Sequence, residues 1–214
     1  MSPCLNPLLA GFLALSFHLG LGQIVPQGLQ KPAGLTESGQ VVVAGQSRPY
    51  MIRRLPLNSF PELPSTIVES LNARGCLIPQ TYEARGPENV VHASLRSAGS
   101  SDWAVLCSAG GNVSLLVFFG GQQAVGTSPV IEKPAVLGSA REMERLQAHP
   151  GTGVLGFNWG IDPVSPQRIH DAQVGLPHQP VRLEHDALAD SVVDHRTIYH
   201  FYANQSWTVL EVPE

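Results

Sequence analysis

A short glycine turn between two apolar segments is the feature that most limits how this 214-residue chain can fold. The segments DWAVLCS, residues 102–108, and NVSLLVFF, residues 112–119, are separated by Ala109-Gly110-Gly111. Paired glycines adopt the positive φ angles of a tight hairpin, so the two segments are predicted to be neighbouring antiparallel strands. The preceding segment NVVHASLRS, residues 89–97, predicts a third strand, and together the three form an antiparallel meander.

Three segments carry helical signals. Residues 61–75 place apolar side chains at three- to four-residue spacing and end in a glycine suited to a left-handed helix end. Residues 139–148 begin with the capping-box pattern S-x-x-E and predict a second helix. Residues 165–173 begin with Ser-Pro, which predicts a short third helix with proline in its first turn.

The C-terminal part predicts further strands. Residues 153–161 form one strand, and residues 192–202 and 207–212 form a final hairpin. Aromatic side chains fall on both faces of residues 192–202, which indicates an interior strand covered on each side. The predicted fold class is α+β: an antiparallel sheet of five or six strands, the meander plus the C-terminal hairpin, with two or three helices on one face.

The N-terminus carries an export signal. Residues 8–21, LLAGFLALSFHLGL, contain no charge and are too short to span a bilayer, but they match the apolar region of a secretory signal. Gly20 and Gly22 are the small residues expected before a cut at Gln23. We therefore predict a signal peptide at 1–22 and a secreted or periplasmic protein, the alternative being a buried helix.

The rest of the chain divides in two. Residues 23–56 are rich in Pro, Gly, Gln and Ser and predict a semi-ordered extension. Residues 57–214 have the length of a single α+β domain with one core.

Export changes how the three cysteines are interpreted. Removal of the signal takes Cys4 and leaves Cys76 and Cys107, an even pair in an oxidising compartment. A disulfide between them is predicted to contribute about 3–4 kcal/mol in the chain-entropy model. The alternative is two buried free thiols.

Charge and motifs exclude several function classes. The chain has 13 Lys and Arg against 17 Asp and Glu, a net charge of −4, which argues against nucleic-acid binding. The serine-hydrolase, zinc-protease, P-loop and dinucleotide-binding motifs are all absent from the sequence. Enzymatic activity therefore has no motif in its favour, and no organic cofactor is predicted.

Histidines and acidic residues cluster near the C-terminus. Imidazole and carboxylate together bind zinc or another divalent cation, and His185, Asp186 and Asp190 are the candidate metal ligands. Their spacing matches no recognised site. The alternative is solvated turns and cross-strand histidines.

Three segments, GCLIPQ at 75–80, ENVV at 88–91 and DWAVLCS at 102–108, resemble a group of uncharacterised exported bacterial proteins. The similarity extends over about residues 55–214, including a Tyr-rich final hairpin with a late Trp207. Members of the group carry an Asp-His-Asp-Gly segment faintly like a calcium-binding repeat, whereas Ala187 replaces that glycine here. The resemblance implies an exported protein and its shape, but no activity.

The leading interpretation is an exported, non-enzymatic binding or interaction domain. After signal removal it is not integral to the membrane, and it presents its hairpin tips and C-terminal segment to an envelope or extracellular partner. Two alternatives stay open: a secreted hydrolase that uses the C-terminal His/Asp cluster, and a cation-stabilised structural module.

Overall fold

A computed structural model describes residues 35–120, 133–174, 182–193 and 195–211. The predicted signal peptide lies outside the described residues. Two α-helices are described, α1 (Ser65–Ala73) and α2 (Pro166–Ala172). The described strands are β1 (Leu35–Val43), β2 (Gln46–Leu55), β3 (Ile78–Gln80), β4 (Val90–Ala93), β5 (Asp102–Ala109), β6 (Asn112–Phe118), β7 (Ala135–Arg141), β8 (Leu146–Ala148), β9 (Leu155–Phe157), β10 (Trp159–Val164), β11 (Ala187–Val192), β12 (Thr197–Ala203) and β13 (Ser206–Glu211).

The strands form three separate sheets. The first sheet has the order β1-β2-β9-β8, with β3 also paired to β2; the second is β4-β5-β6-β7, and the third is β10-β11-β12-β13. Pairing is antiparallel throughout except between β2 and β9. The mostly antiparallel character is confirmed, but the prediction of one sheet with five or six strands is wrong. The meander and the final hairpin each acquire their own partners, β7 for the first and β10 and β11 for the second.

Side-chain alternation explains how the sheets are layered. In β5 both faces are buried: Ala104 and Leu106 pack in a core with Trp159 and Leu188 of the third sheet. On the opposite face, Val105 and its neighbours pack in a second core with α1. In the third sheet, the face opposite the shared core packs on α2. The two helices therefore cover different sheets, which corrects the prediction that the helices share one face.

Several local predictions are confirmed. The first helix is α1, and Gly75 follows it with φ +69°. The β5–β6 turn consists of Gly110 and Gly111, with φ +57° and +78°. The Ser-Pro helix is α2, and the Ser165 hydroxyl accepts a hydrogen bond from the Arg168 amide at 3.3 Å.

The helix predicted at residues 139–148 is wrong. This stretch contains the end of β7, a 3-10 turn (Glu142–Arg145) and β8. The Glu142 carboxylate, which the capping pattern assigned to a helix start, is buried and accepts hydrogen bonds from Arg54 and Ser108. A tertiary ion pair thus replaces the local cap.

Residues 35–55 are also a correction, because they were predicted to be part of a semi-ordered extension. They form the β1–β2 hairpin, with Ala44 and Gly45 at φ +50° and +77° in its turn. Arg54 bridges Glu37 of β1 and the buried Glu142, so polar contacts attach this hairpin to the rest of the molecule.

Candidate functional site

The predicted ligand Asp186 has a backbone partner. Its Oδ2 accepts a hydrogen bond from the Ser94 amide at 3.0 Å, and its own amide donates to the Ser94 carbonyl at 2.9 Å. The neighbouring His185 places its Nδ1 3.0 Å from the Asp186 carbonyl oxygen. These contacts join the start of β11 to the loop that follows β4.

The predicted ligand Asp190 has two side-chain partners, and both belong to the third sheet. Its Oδ1 accepts a hydrogen bond from the Trp159 indole at 2.6 Å, and its Oδ2 lies 3.0 Å from Nε2 of the buried His200. Both carboxylate oxygens are therefore satisfied by side chains of the same sheet.

These separate roles correct the predicted metal set. Among the residues that the structure describes, no group of three or more His, Cys, Asp or Glu side chains is arranged to hold a metal ion. Asp186 fixes a loop and Asp190 braces Trp159 and His200, so His185, Asp186 and Asp190 do not form one ligand set.

Asp102 was missed by the sequence analysis, although it organises the same region. This fully buried carboxylate accepts hydrogen bonds from the Arg96 amide at 2.7 Å, from the Gly120 amide at 2.9 Å and from the Ser100 hydroxyl. A side chain at position 120 would collide with the Ser101 carbonyl, which a Cβ would approach to 2.0 Å. The loop over residues 94–101 is therefore held at both ends, by Asp186 and by Asp102.

Beside this loop is a wide depression of about 1100 Å³, which we call the polar depression. It is lined by residues 96–101, Gly120, His185 and residues 202–205. Hydroxyls, amides, a guanidinium and an imidazole surround it, and none of its described lining residues is acidic. The predicted site residue His185 and the tip of the final hairpin are thus brought together.

The hairpin tip has an unusual backbone. Asn204 and Gln205 form the two-residue turn between β12 and β13 with φ +51° and +62°. Asn adopts this left-handed conformation more readily than most residues with side chains. At the second position of such a turn glycine is the usual residue, and Gln205 takes its place here. The turn holds two exposed side-chain amides at the edge of the depression.

An aromatic cluster supports the depression from below. Tyr202 lies 5.5 Å from Trp207 and 5.0 Å from Phe119, measured between ring centroids, both in edge-to-face geometry. The Arg96 guanidinium lies 5.0 Å over the Phe119 ring. These contacts restrict the Tyr202 ring and the Arg96 side chain to defined positions.

A serine–histidine pair lies at one side of the depression. The Ser101 Oγ is 2.8 Å from the His92 Nε2, and the His92 ring stacks on Trp103 with centroids 4.3 Å apart. Such a pair is the minimum that nucleophilic catalysis by serine requires, with a third group to orient the base.

The predicted disulfide is present. Cys76, after α1, and Cys107, in β5, are bonded with a Cα–Cα distance of 5.1 Å, within the usual range for a disulfide. The disulfide therefore joins the end of α1 to β5, the strand of the second sheet that also contains Asp102.

The pKa values of two side chains of the first sheet, Glu37 and Tyr50, are shifted from their usual values. Hydrogen bonds from Arg54 and from Tyr50 hold the pKa of Glu37 below its usual value. The hydrogen bond between Tyr50 and Glu37 raises the pKa of the Tyr50 phenol. These groups lie within the β1–β2 hairpin and do not line the polar depression.

Within the described ranges, no helix has both the length and the apolar character that crossing a bilayer would take.

Compared with known proteins, the chain matches no family model, no curated protein sequence and no solved structure.

Proposed function

We propose that this protein is an exported, non-enzymatic binding domain whose polar depression binds a polysaccharide of the cell envelope. The observation that carries the proposal is the Asn204–Gln205 turn, in which Gln205 keeps an amide side chain at a left-handed position that glycine would occupy without strain. Backbone strain of this kind clusters at functional sites, which supports a binding role for the turn.

The chemistry of the lining favours a polyhydroxylated ligand. Serine hydroxyls and the Asn204 and Gln205 amides both donate and accept hydrogen bonds, as do sugar hydroxyls. Tyr202 offers an aromatic surface beside them. Small-molecule pockets usually have volumes of about 300–1,000 Å³. The depression, at about 1100 Å³, exceeds this range and has room for a segment of a polymer.

Preorganisation supports the same proposal. Asp102 and Asp186 tie the 94–101 loop with backbone hydrogen bonds, so little ordering remains to be done when a ligand binds. The disulfide is consistent with an oxidising compartment such as the envelope.

Co-sedimentation with purified peptidoglycan tests the proposal. We expect the wild-type protein to sediment with the insoluble polymer, and the double variant Asn204→Ala/Gln205→Ala to bind about tenfold more weakly. The matched control is Asn112→Ala, which removes an exposed amide beside the β5–β6 turn, outside the depression. Equal sedimentation of all three proteins, or of none, would contradict the proposal.

The export part of the proposal has its own test. We expect N-terminal sequencing of protein recovered from the cell envelope to begin at Gln23, because Gly20 and Gly22 precede it. An intact Met1 on protein from the cytoplasm would contradict export.

A secreted hydrolase is the second candidate, and the Ser101–His92 hydrogen bond is the observation in its favour. Within the C-terminal His/Asp cluster, His200 is hydrogen-bonded to Asp190, and no described Ser, Thr or Cys side chain is hydrogen-bonded to His200. A fluorophosphonate probe separates the candidates. Labelling that is lost in Ser101→Ala would favour the hydrolase, whereas the binding-domain proposal predicts no labelling.

A further inference from the structure

A second concavity lies on the first sheet, away from the polar depression. Its volume is about 290 Å³, and its walls come from β2, from the segment after β3 and from the turn between β8 and β9. We call it the Arg53 cleft, after the cationic residue in its lining. Met51, Tyr82, His149, Leu155 and Gly156 are the other lining residues that matter here.

The back of the cleft is a close-packed contact that only glycine permits. A Cβ on Gly156 would lie 2.5 Å from the Tyr82 Cβ, so Tyr82 can pack across β9 only because that position has no side chain. The Tyr82 amide donates to the Phe157 carbonyl at 2.8 Å, which fixes the segment in place. The cleft is therefore built from constrained backbone.

Ring contacts fix a second wall. The His149 and Tyr82 rings meet edge-to-face with centroids 5.0 Å apart. The His149 Nδ1 lies 2.9 Å from the Pro150 carbonyl oxygen, and because a carbonyl only accepts, Nδ1 carries the hydrogen. Both contacts hold the imidazole at the side of the cleft.

Arg53 supplies the charge. Its Nη2 donates to the Ala84 carbonyl at 2.8 Å, which anchors the guanidinium while other N–H donors of this exposed side chain remain for a ligand. None of the described lining residues is acidic, so no carboxylate within the cleft neutralises Arg53. A guanidinium in this setting recognises a carboxylate or a sulfonate.

The remaining surface is apolar. Leu155 is buried at the floor, and Met51 remains 52% exposed on the same face of β2 as Arg53. A flexible thioether in such a place adapts to ligands of varied shape. We propose that the Arg53 cleft is a second binding site, which takes a small amphipathic organic anion with its acidic group on Arg53 and its apolar body against Met51 and Leu155.

A pair of matched fluorescent probes tests the charge requirement. 1-Anilinonaphthalene-8-sulfonate is the anionic probe, and N-phenyl-1-naphthylamine has the same rings without the sulfonate. We expect Arg53→Gln to weaken binding of the anionic probe about tenfold or more and to leave the neutral probe unchanged. Arg48→Gln, which removes another arginine of β2 outside the cleft, is the matched control and is expected to bind both probes as the wild type does.

Methyl-labelled methionine locates the probe. The chain has Met1, Met51 and Met143, so Met51 reports on the cleft and the exposed Met143 on the general surface. We expect the anionic probe to shift the Met51 methyl resonance and to leave the Met143 resonance unchanged. Asn204→Ala/Gln205→Ala is expected to keep this binding, so the result is independent of the polysaccharide proposal. Equal shifts of Met51 and Met143, or unchanged affinity in Arg53→Gln, would overturn the inference.

Discussion

The hairpins β5–β6 and β12–β13 share a two-residue turn with positive φ but occupy it with different residues. Gly110 and Gly111 adopt that conformation without steric cost, and they take no part in a concave surface among the described pockets. Asn204 and Gln205 adopt it with side chains present, and they line the polar depression. Under the proposed function, the second turn presents amides to a ligand, which the glycines of the first turn cannot do.

The strands that carry these turns also differ. β5 is buried on both faces, between α1 and the third sheet. In β12, Tyr199 and Phe201 pack toward α2, whereas the other face carries His200 with its Asp190 partner and the half-buried Tyr202. We therefore expect the first hairpin to dominate stability and the second to dominate binding.

The largest effect is expected from the disulfide that anchors β5. The variant Cys76→Ala/Cys107→Ala should lower the free energy of unfolding by about 3–4 kcal/mol in the chain-entropy model. Urea denaturation measures this loss in the free energy of unfolding, with the reduced wild-type protein as the control. A loss below about 1 kcal/mol would show that the helix is held on the second sheet by packing alone.

A pair of truncations compares the two hairpins directly. Leu106→Ala in β5 empties a fully buried position and should cost about 2–5 kcal/mol. Val209→Ala in β13 changes a side chain that is 51% exposed and should cost about 0.5 kcal/mol or less. Comparable losses in thermal or urea unfolding would remove the distinction between the hairpins.

Exchanging the turn residues sharpens the comparison. Gln205→Gly relieves a strained conformation and should raise the free energy of unfolding by about 0.5–1 kcal/mol while weakening polysaccharide binding. Gly111→Gln introduces the same strain and should lower the free energy of unfolding by about 1 kcal/mol, without an effect on polysaccharide binding. If Gln205→Gly gains stability and keeps full binding, the strained turn has no role in recognition.

The smallest effect concerns pH and the β1–β2 hairpin. The pKa of Glu37 is lower in the folded protein than in the unfolded chain. The ionised Glu37 side chain therefore stabilises the folded protein fully above the unfolded pKa, and this stabilisation is lost as the pH falls through the folded pKa. Glu37 is half exposed, so this contribution is about 0.5 kcal/mol or less. The acid limb of the stability curve should therefore differ slightly between wild type and Glu37→Gln, and the two should converge at the lowest pH.

Local patterns allowed much of the fold to be predicted. The glycine turn, the helix ending at Gly75 and the Ser-Pro helix start each depend on neighbouring residues, and each is found where the sequence indicates. The β1–β2 hairpin was missed because its attachment depends on Arg54 and Glu142, which are 88 positions apart in the chain. No periodicity encodes such a contact.

The site was predicted only in part for the same reason. The sequence singled out His185 and the hairpin tips, which do meet at the polar depression. It assigned Asp186 and Asp190 to one metal site, although their partners are Ser94 in one case and Trp159 and His200 in the other. The only sequence signal for Asp102 is an acidic residue at the start of an apolar strand. A carboxylate buried at such a position needs hydrogen-bond partners.

Amide chemical shifts, measured during titration with soluble peptidoglycan glycan strands, test whether the polar depression binds a polysaccharide. We expect shifts confined to residues 96–101, His185 and residues 202–205, with none at Gly110 and Gly111. Shifts centred on the β5–β6 turn, or no shifts at saturating glycan, would contradict it.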